Sequence, residues 1–270
     1  MKVGIIISTY NNPQWLQKTL WGYMNQTYKS FEIIIADDGS RDDTKEMIES
    51  FKEKKSLEII HVWHPDDGFR KTAILNKAIL ASTSDYLIFT DQDCIPRKDF
   101  VQTHLKYAEP GYFLSGGYFR LSKKISENIR YEDIQSQQAF SLQWLYSQGL
   151  EKTFKFTKLL NSKIFARFMN AITPAKASWN GCNSSGWKKD MIEINGFNEE
   201  MQYGAEDREF GERLFNKGIR SKQIRHSAIC LHLYHERPYK NKEGLRKNAK
   251  IRKLTKKYKL IRTPKGIVHE

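Results

Sequence analysis

Asp91-Gln92-Asp93 directly follows the apolar run 86–90, and no other short segment of this sequence carries as much chemistry. On extended backbone, residues two apart share a face, so both carboxylates can approach one hard divalent cation and a neighbouring ribose or phosphate. Three further polar clusters each follow a β-branched or aromatic run: Ser8-Thr9-Tyr10-Asn11-Asn12, Asp37-Asp38-Gly39-Ser40 and Pro65-Asp66-Asp67-Gly68. One such turn is ordinary solvated loop. Four in series, three of them with paired acids, are different, because clustered carboxylates repel unless a cation or donor groups hold them, which implies a bound metal or a polyhydroxy ligand. Farther along stand Glu206-Asp207, ahead of a helical pattern, and two histidines three apart, His232 and His235.

The elements that must position these groups are legible in the first half. Runs Val3–Thr9, 31–36, 57–62 and 86–90 read as strands, and 15–26, 44–54 and 70–81 have helical apolar spacing. Asp43 followed by Glu46 marks the start of the second helix. The order β-α-β-α-β-α-β calls for an α/β fold with a mostly parallel central sheet, whose ligands collect at the carboxyl ends of the strands. The four polar clusters all fall there. After residue 100 the regularity fades; basic and aromatic helical segments occupy 120–170, and apolar spacing resumes near 191–197 and 210–215.

The 270 residues suffice for one large core with an extension, which excludes a small disulfide-stapled scaffold. Cys94, Cys182 and Cys230 form no CxxC pair, so neither a zinc knuckle nor a disulfide framework is expected and a reducing cytoplasm fits. The opening segment has too short an apolar run for a signal peptide, and no stretch approaches the roughly 18 apolar residues of a spanning helix. Lys+Arg number 45 against 31 Asp+Glu, a net +14, and the surplus is concentrated in 240–265. That asymmetry suggests an acidic-cleft body, 1–240, and a basic C-terminal tail, 241–270.

The ordered set Ser8-Thr9-Tyr10-Asn11, Asp37-Asp38-Gly39-Ser40, Asp67-Gly68-Phe69-Arg70-Lys71, Leu75-Asn76-Lys77-Ala78, Asp91-Gln92-Asp93-Cys94-Ile95-Pro96, Gly181-Cys182-Asn183, Asn195-Gly196-Phe197-Asn198-Glu199, Glu206-Asp207 and His232 covers about residues 1–240. Each piece is common, and the ordered set is specific. It resembles the inverting family 2 glycosyltransferases of the GT-A fold, particularly bacterial chondroitin-polymerase-like and galactosyltransferase-like members. The resemblance implies a nucleotide-binding half, 1–100, and an acceptor and catalytic half, 101–240. It also implies transfer of a sugar from a UDP-sugar donor to a hydroxyl of a glycan or lipid-linked glycan acceptor.

By that resemblance Thr9, Tyr10 and Asn11 line the nucleoside pocket and Asp38 takes the uracil imide N–H, the alternative for Asp38 being a turn or helix cap. Asp67, Arg70, Lys71 and Asn76 lie near the donor, with Arg70 or Lys71 available to a phosphate. Asp91 reaches the ribose side and Asp93 binds the metal, joined by His232, with His235 a second candidate. A carboxylate, imidazole and diphosphate set suits Mn²⁺ or Mg²⁺. Asp207, with Glu206 beside it, is the implied general base, against the plainer reading of a helix N-cap. Arg237 or Lys71 would stabilise the leaving diphosphate. Trp179, Asn180 and Trp187 are candidates for the acceptor side, the two tryptophans being equally suited to a core.

Other classes fit less well. A nucleic-acid-binding module suits the +14 charge and 13% aromatics, but carboxylates lining a cleft repel a phosphate backbone, so no nucleic acid is expected. A haloacid-dehalogenase phosphatase would want Thr or Val two residues after the second Asp, where Ile95 stands. A nicotinamide dehydrogenase lacks its GxGxxG after the first strand. The basic 250–262 segment also suits peripheral attachment to anionic lipid on the inner face of the plasma membrane.

Overall fold

The computed structural model describes residues 2–151, 153–160, 162–174, 176–236 and 241–269. The strands are β1 (Val3–Thr9), β2 (Phe31–Asp37), β3 (Ile59–Trp63), β4 (Tyr86–Asp91), β5 (Cys94–Pro96), β6 (Tyr112–Ser115), β7 (Gly117–Arg120), β8 (Ser184–Trp187), β9 (Arg220–Gln223) and β10 (Ile229–His232). The helices are α1 (Pro13–Met24), α2 (Asp42–Glu53), α3 (Lys71–Ala81), α4 (Phe100–Tyr107), α5 (Lys123–Asn128), α6 (Tyr131–Gln135), α7 (Leu142–Ser147), α8 (Lys163–Ile172), α9 (Lys188–Glu193), α10 (Glu206–Asn216) and α11 (Lys242–Lys257).

Seven strands form the main sheet in the order β3-β2-β1-β4-β8-β6-β9, with β1 paired in parallel to both β2 and β4. Every residue of β1 and β2 is buried, which is why these strands read as continuous apolar runs: helices cover both faces. Ile5 and Ile7 face Leu16, Leu20 and Tyr23 of α1 and Phe51 of α2. Ile6 and Ile34 face Ile74 and Ile79 of α3 and, beyond them, Phe197 and Phe210.

Strand register decides where the polar ends meet. Thr9 is level with Asp37 and Ser8 with Asp91, so β1, β2 and β4 all end at one edge. The strands run one residue past the sequence expectation there, ending at Asp37 and Asp91, and α1 begins two residues early. Asn12, in the left-handed conformation, caps α1 by accepting from the Trp15 amide at 3.4 Å, ahead of Pro13 at the first helical position. The start of α2 differs from expectation: Asp43 lies inside the first turn, after Arg41, and makes no capping bond.

The second half contains what period alone did not reveal. Strands β6, β8 and β9 complete the main sheet, and β5, β10 and β7 form a separate three-stranded sheet. That small sheet has its own apolar layer, with Ile95, Phe119, Ile229 and Leu231 packed on Trp15, Ile125 and Leu145. The basic C-terminal segment packs on the body. Arg252 pairs with Glu212 of α10, Thr255 donates to Glu209 at 3.0 Å, and Asn195 Nδ2 donates to the carbonyls of Thr263 and Val268, each at 2.7 Å. Among the described residues no helix is long and apolar enough to cross a membrane.

Candidate active site

The aligned strand ends open into a cleft of about 1030 Å³. One wall comes from β1, β4 and α3, the other from residues 178–182, the first turn of α10 and the small sheet. Asp91, at the end of β4, accepts from Ser8 Oγ at 2.6 Å and from Lys71 Nζ at 2.7 Å. Burial opposes its charge, yet the Lys71 ammonium and these hydrogen bonds outweigh it and hold the Asp91 carboxyl below its ordinary range. Thr9 Oγ1 donates to the Gln92 side chain, which is how the residue between the two acids is fixed.

Asp93 meets the histidines through strand pairing. In the antiparallel pairing of β5 with β10, His232 is level with Cys94, so ligand atoms of Asp93, Cys94 and His232 lie within 4.8 Å of one another. His235 Nε2 stands 3.3 Å from Asp93 Oδ2, and the two imidazoles stack at 5.3 Å. The Cys94 thiol is fully buried and burial raises its pKa, so in the metal-free protein it is protonated beside the Asp93 carboxylate and the His232 imidazole. A carboxylate beside an imidazole suits Mn²⁺ or Mg²⁺. Cys182 and Cys230, remote in sequence, adjoin Cys94, and all three are free and buried.

Across the cleft Asp207 occupies the first turn of α10. Its Oδ2 accepts from the Gly181 amide at 3.1 Å and its Oδ1 from the Arg208 amide at 2.7 Å. Burial raises its pKa; the two amides and Lys71 act in the opposite sense. Glu206, bonded to the Gly204 amide at 2.9 Å, is raised by burial and then by the neighbouring Asp207 charge. Gly181 lies between them and Lys71: a Cβ there would stand 3.7 Å from Lys71 Nζ and 3.9 Å from Asp207 Cβ. Burial penalises the Lys71 ammonium, but Asp91, Glu206 and Asp207 more than compensate, and its pKa is raised. One cation therefore bridges the two acidic walls.

Other predicted residues are placed less uniformly. Thr9, Tyr10 and Asp38 line the cleft. Both Asp38 oxygens already accept, one at 2.7 Å from His64 Nε2 and one at 3.0 Å from the Arg70 amide, so a base edge would have to share them. Asn11, in the left-handed region, accepts from the Arg41 amide at 3.1 Å and holds the turn. Asp67 and Arg70 pair with each other at 3.3 Å on exposed surface. Asn76 is buried between α3 and the 195–199 turn, bonded to both the amide and the carbonyl of Phe197, and does not reach the cleft. Trp187 is remote as well, packed on Tyr86 and donating to the Glu109 carbonyl at 3.0 Å. Trp179 is fully buried among Phe89, Phe113 and Phe210, whereas Asn180 lies at the cleft floor, donating to the Asn183 carbonyl at 3.0 Å. Arg237 lies outside the described residues.

Sequence reasoning missed Ser8, His64 and Gly181, along with Tyr118, Arg120, Lys158 and Arg225 on the far side of the cleft. Ser8 and Gly181 stand inside motifs of the ordered set, and His64 stands three residues after His61 at the end of a strand next to Asp37-Asp38.

The chain is similar in sequence and fold to known proteins. The model of glycosyl transferase family 2 matches residues 4–172, and one described as the N-terminal domain of galactosyltransferase matches residues 165–236. The chain is 28% identical to a hyaluronan synthase of Pasteurella multocida over 87% of its own length and 24% of that protein's. It is 29% identical to a chondroitin synthase of Escherichia coli over 87% of its length and 35% of the relative's. An uncharacterized glycosyltransferase of Bacillus subtilis, YfnE, is 27% identical over 97% of this chain and 72% of the relative. The chain thus spans about a quarter to a third of the length of the two synthases. Among solved structures, a Pyrobaculum calidifontis mannosyltransferase in complex with GDP-Man and Mn²⁺ superposes with TM-score 0.60 at 18% identity, covering 88% of this chain and 58% of that one. The S. aureus protein TarS, residues 1–349 in complex with UDP-GlcNAc, superposes with TM-score 0.58 at 17% identity, covering 88% and 60%. The fold is GT-A, and with more than half its length matched by the family model, this chain belongs to glycosyl transferase family 2, the glycosyltransferases.

Proposed function

We propose that this glycosyltransferase transfers a sugar from a UDP-sugar to a hydroxyl of a glycan or lipid-linked glycan, with inversion at the anomeric carbon. The observation that carries the reading is the half-buried Asp207 carboxylate, fixed by two amides and facing Asp91 across Lys71. A raised pKa makes Asp207 a stronger proton acceptor than an exposed aspartate. In the step proposed, the acceptor O–H proton passes to Asp207 as that oxygen attacks the anomeric carbon. The bond from that carbon to the diphosphate oxygen breaks, and its electron pair leaves with UDP. Attack opposite the leaving group inverts the configuration.

Asp93 and His232, with His235 adjacent, would hold Mn²⁺ or Mg²⁺, with Asp91 towards the ribose; the cation, when bound, offsets diphosphate charge. Lys71 is the chain's own cation for that purpose. Complexes of structural neighbours with UDP-GlcNAc and with Mn²⁺ support the donor and the ion without identifying either here. A cytoplasmic site of reaction is part of the proposal, supported by three free cysteines. Exposed Lys250, Lys253 and Lys257 beside exposed Leu254 and Tyr258 support contact of α11 with an anionic inner leaflet.

The test is a screen of UDP release across UDP-sugars with Mn²⁺ or Mg²⁺, with the anomeric configuration of the product read by NMR. Retention of configuration, or equal turnover in a metal chelator, would overturn the respective part of the proposal.

A further inference from the structure

The far half of the cleft has a chemistry that the acidic wall does not explain. Arg120, Lys123, Lys158 and Arg225 all line it, and none of the four has a carboxylate partner within ion-pair distance among the described residues. Two of them clasp one aromatic ring: Arg120 Cζ and Lys158 Nζ stand 5.4 and 5.5 Å from the centre of Tyr118. Lys158 Nζ also donates to the Tyr118 carbonyl at 3.2 Å, and Arg225 Nη2 to the Lys176 carbonyl at 3.2 Å, so both are held in place by neutral groups.

The small sheet builds this wall. Parallel pairing of β7 with β10 sets Tyr118 level with Cys230 and Arg120 level with His232. Gly117 is required for it, because a Cβ there would collide with the Arg225 carbonyl oxygen. The Tyr118 ring lies 5.5 Å from the His232 imidazole, so the cations begin where the candidate metal ligands end. Glu127 and Glu236 also line the cleft and pair with none of the four. Burial, and after it the charges of Arg225 and Lys155, push the Lys158 ammonium below its ordinary range. Like charges held together without counterions favour an anion that arrives from outside.

We propose that this half of the cleft binds the acceptor through an anionic group, a phosphate or a carboxylate, held by the cations that surround the Tyr118 ring. The proposal rests on the glycosyltransferase reading and narrows the acceptor to charged glycans. A cleft at the top of the usual 300–1,000 Å³ range leaves room for two ligands together.

The experiment uses the full chain saturated with UDP and Mg²⁺, so that the donor site is filled. It is titrated calorimetrically with trigalacturonic acid, with glucose 1-phosphate and with maltotriose as the neutral control. At least one anionic probe binds at least roughly tenfold more tightly than maltotriose, more weakly at higher salt, and its identity separates carboxylate from phosphate. Lys158→Gln, Arg225→Gln and the solvent-exposed Arg120→Gln each weaken that probe by roughly tenfold, Lys158→Arg restores it, and UDP affinity stays within about twofold. Equal binding of maltotriose, or unchanged anion affinity in all three variants, overturns the proposal. So does a parallel loss of UDP affinity, which would assign the cations to the donor. Anionic probes that bind a protein with no affinity for UDP would leave the subsite standing and sink the nucleotide-sugar reading instead.

Discussion

Lys71 Nζ lies 2.7 Å from Asp91 Oδ1, and its charge is also felt by Glu206 and Asp207 on the opposite wall. Lys71 favours the ionised form of Asp207, so removing it raises the Asp207 pKa further. For Lys71→Met the acid limb of the pH profile of kcat therefore moves to higher pH, and turnover at pH 7 falls by about tenfold or more. An unmoved acid limb would separate Lys71 from the base.

Asp207→Asn keeps the shape of the side chain and removes the proton acceptor. Transfer falls by roughly a thousandfold while UDP affinity changes by less than about twofold. Steady-state kinetics with parallel UDP titration decide this, and full turnover by the variant would rule Asp207 out as base.

Asp93→Ala and His232→Ala each weaken Mn²⁺ binding in the presence of UDP by about tenfold or more, read from the free-ion EPR signal. His235→Ala has a smaller effect, because its imidazole reaches Asp93 at 3.3 Å but lies outside the tightest group. Equal losses for both histidines would make His235 a ligand of the same rank.

Acid should lower the stability of the protein over two pH windows set by buried groups. His104, fully buried, has its pKa lowered from 6.5 to about 4 by burial. The unfolded chain takes up that proton first, so stability is complete above pH 6.5 and declines towards pH 4, by on the order of 3 kcal/mol. Glu32 is also buried, which opposes its charge, yet Ser84, Ser82, Lys2 and Thr83 donate to it and lower its pKa to about 2. Its contribution is present above pH 4.5 and is lost as pH falls towards 2. Urea midpoints across pH 3–7 check both, and His104→Gln flattens the decline in the upper window.

Deleting residues 241–270 lowers Tm by about 10 °C, because Glu209 loses Thr255 and Asn195 loses the Thr263 and Val268 carbonyls. A truncated chain that melts with wild type would show α11 to be dispensable. Cosedimentation with anionic liposomes is read on the intact chain with Lys250, Lys253 and Lys257 changed to Gln, where pelleting declines if α11 meets the membrane.

The first 100 residues were legible because their signals are local. A strand buried on both faces, such as β1, has to be continuously apolar, and in a parallel sheet the polar clusters have to gather at the strand ends. Asp91, Asp93 and Asp38 could be singled out on that basis. Asn76 was expected near the donor and Trp187 was left open between acceptor side and core, because an asparagine or tryptophan beside a motif looks the same whether it faces a ligand or a neighbouring loop. The short strands of the second half were hidden because three or four residues of half-buried backbone carry no usable period.

By itself the sequence determined the parallel half of the sheet, the acidic strand ends and the presence of an acid at the head of α10. Tertiary structure alone decided which of these groups share a space. Pairing of β5 with β10 brings His232 beside Asp93 across 139 positions of sequence, and β7 on the other side of β10 adds Arg120 and Tyr118. Such contacts depend on backbone hydrogen bonds between distant segments, which any residue except proline can donate, so residue identity leaves no record of the partner.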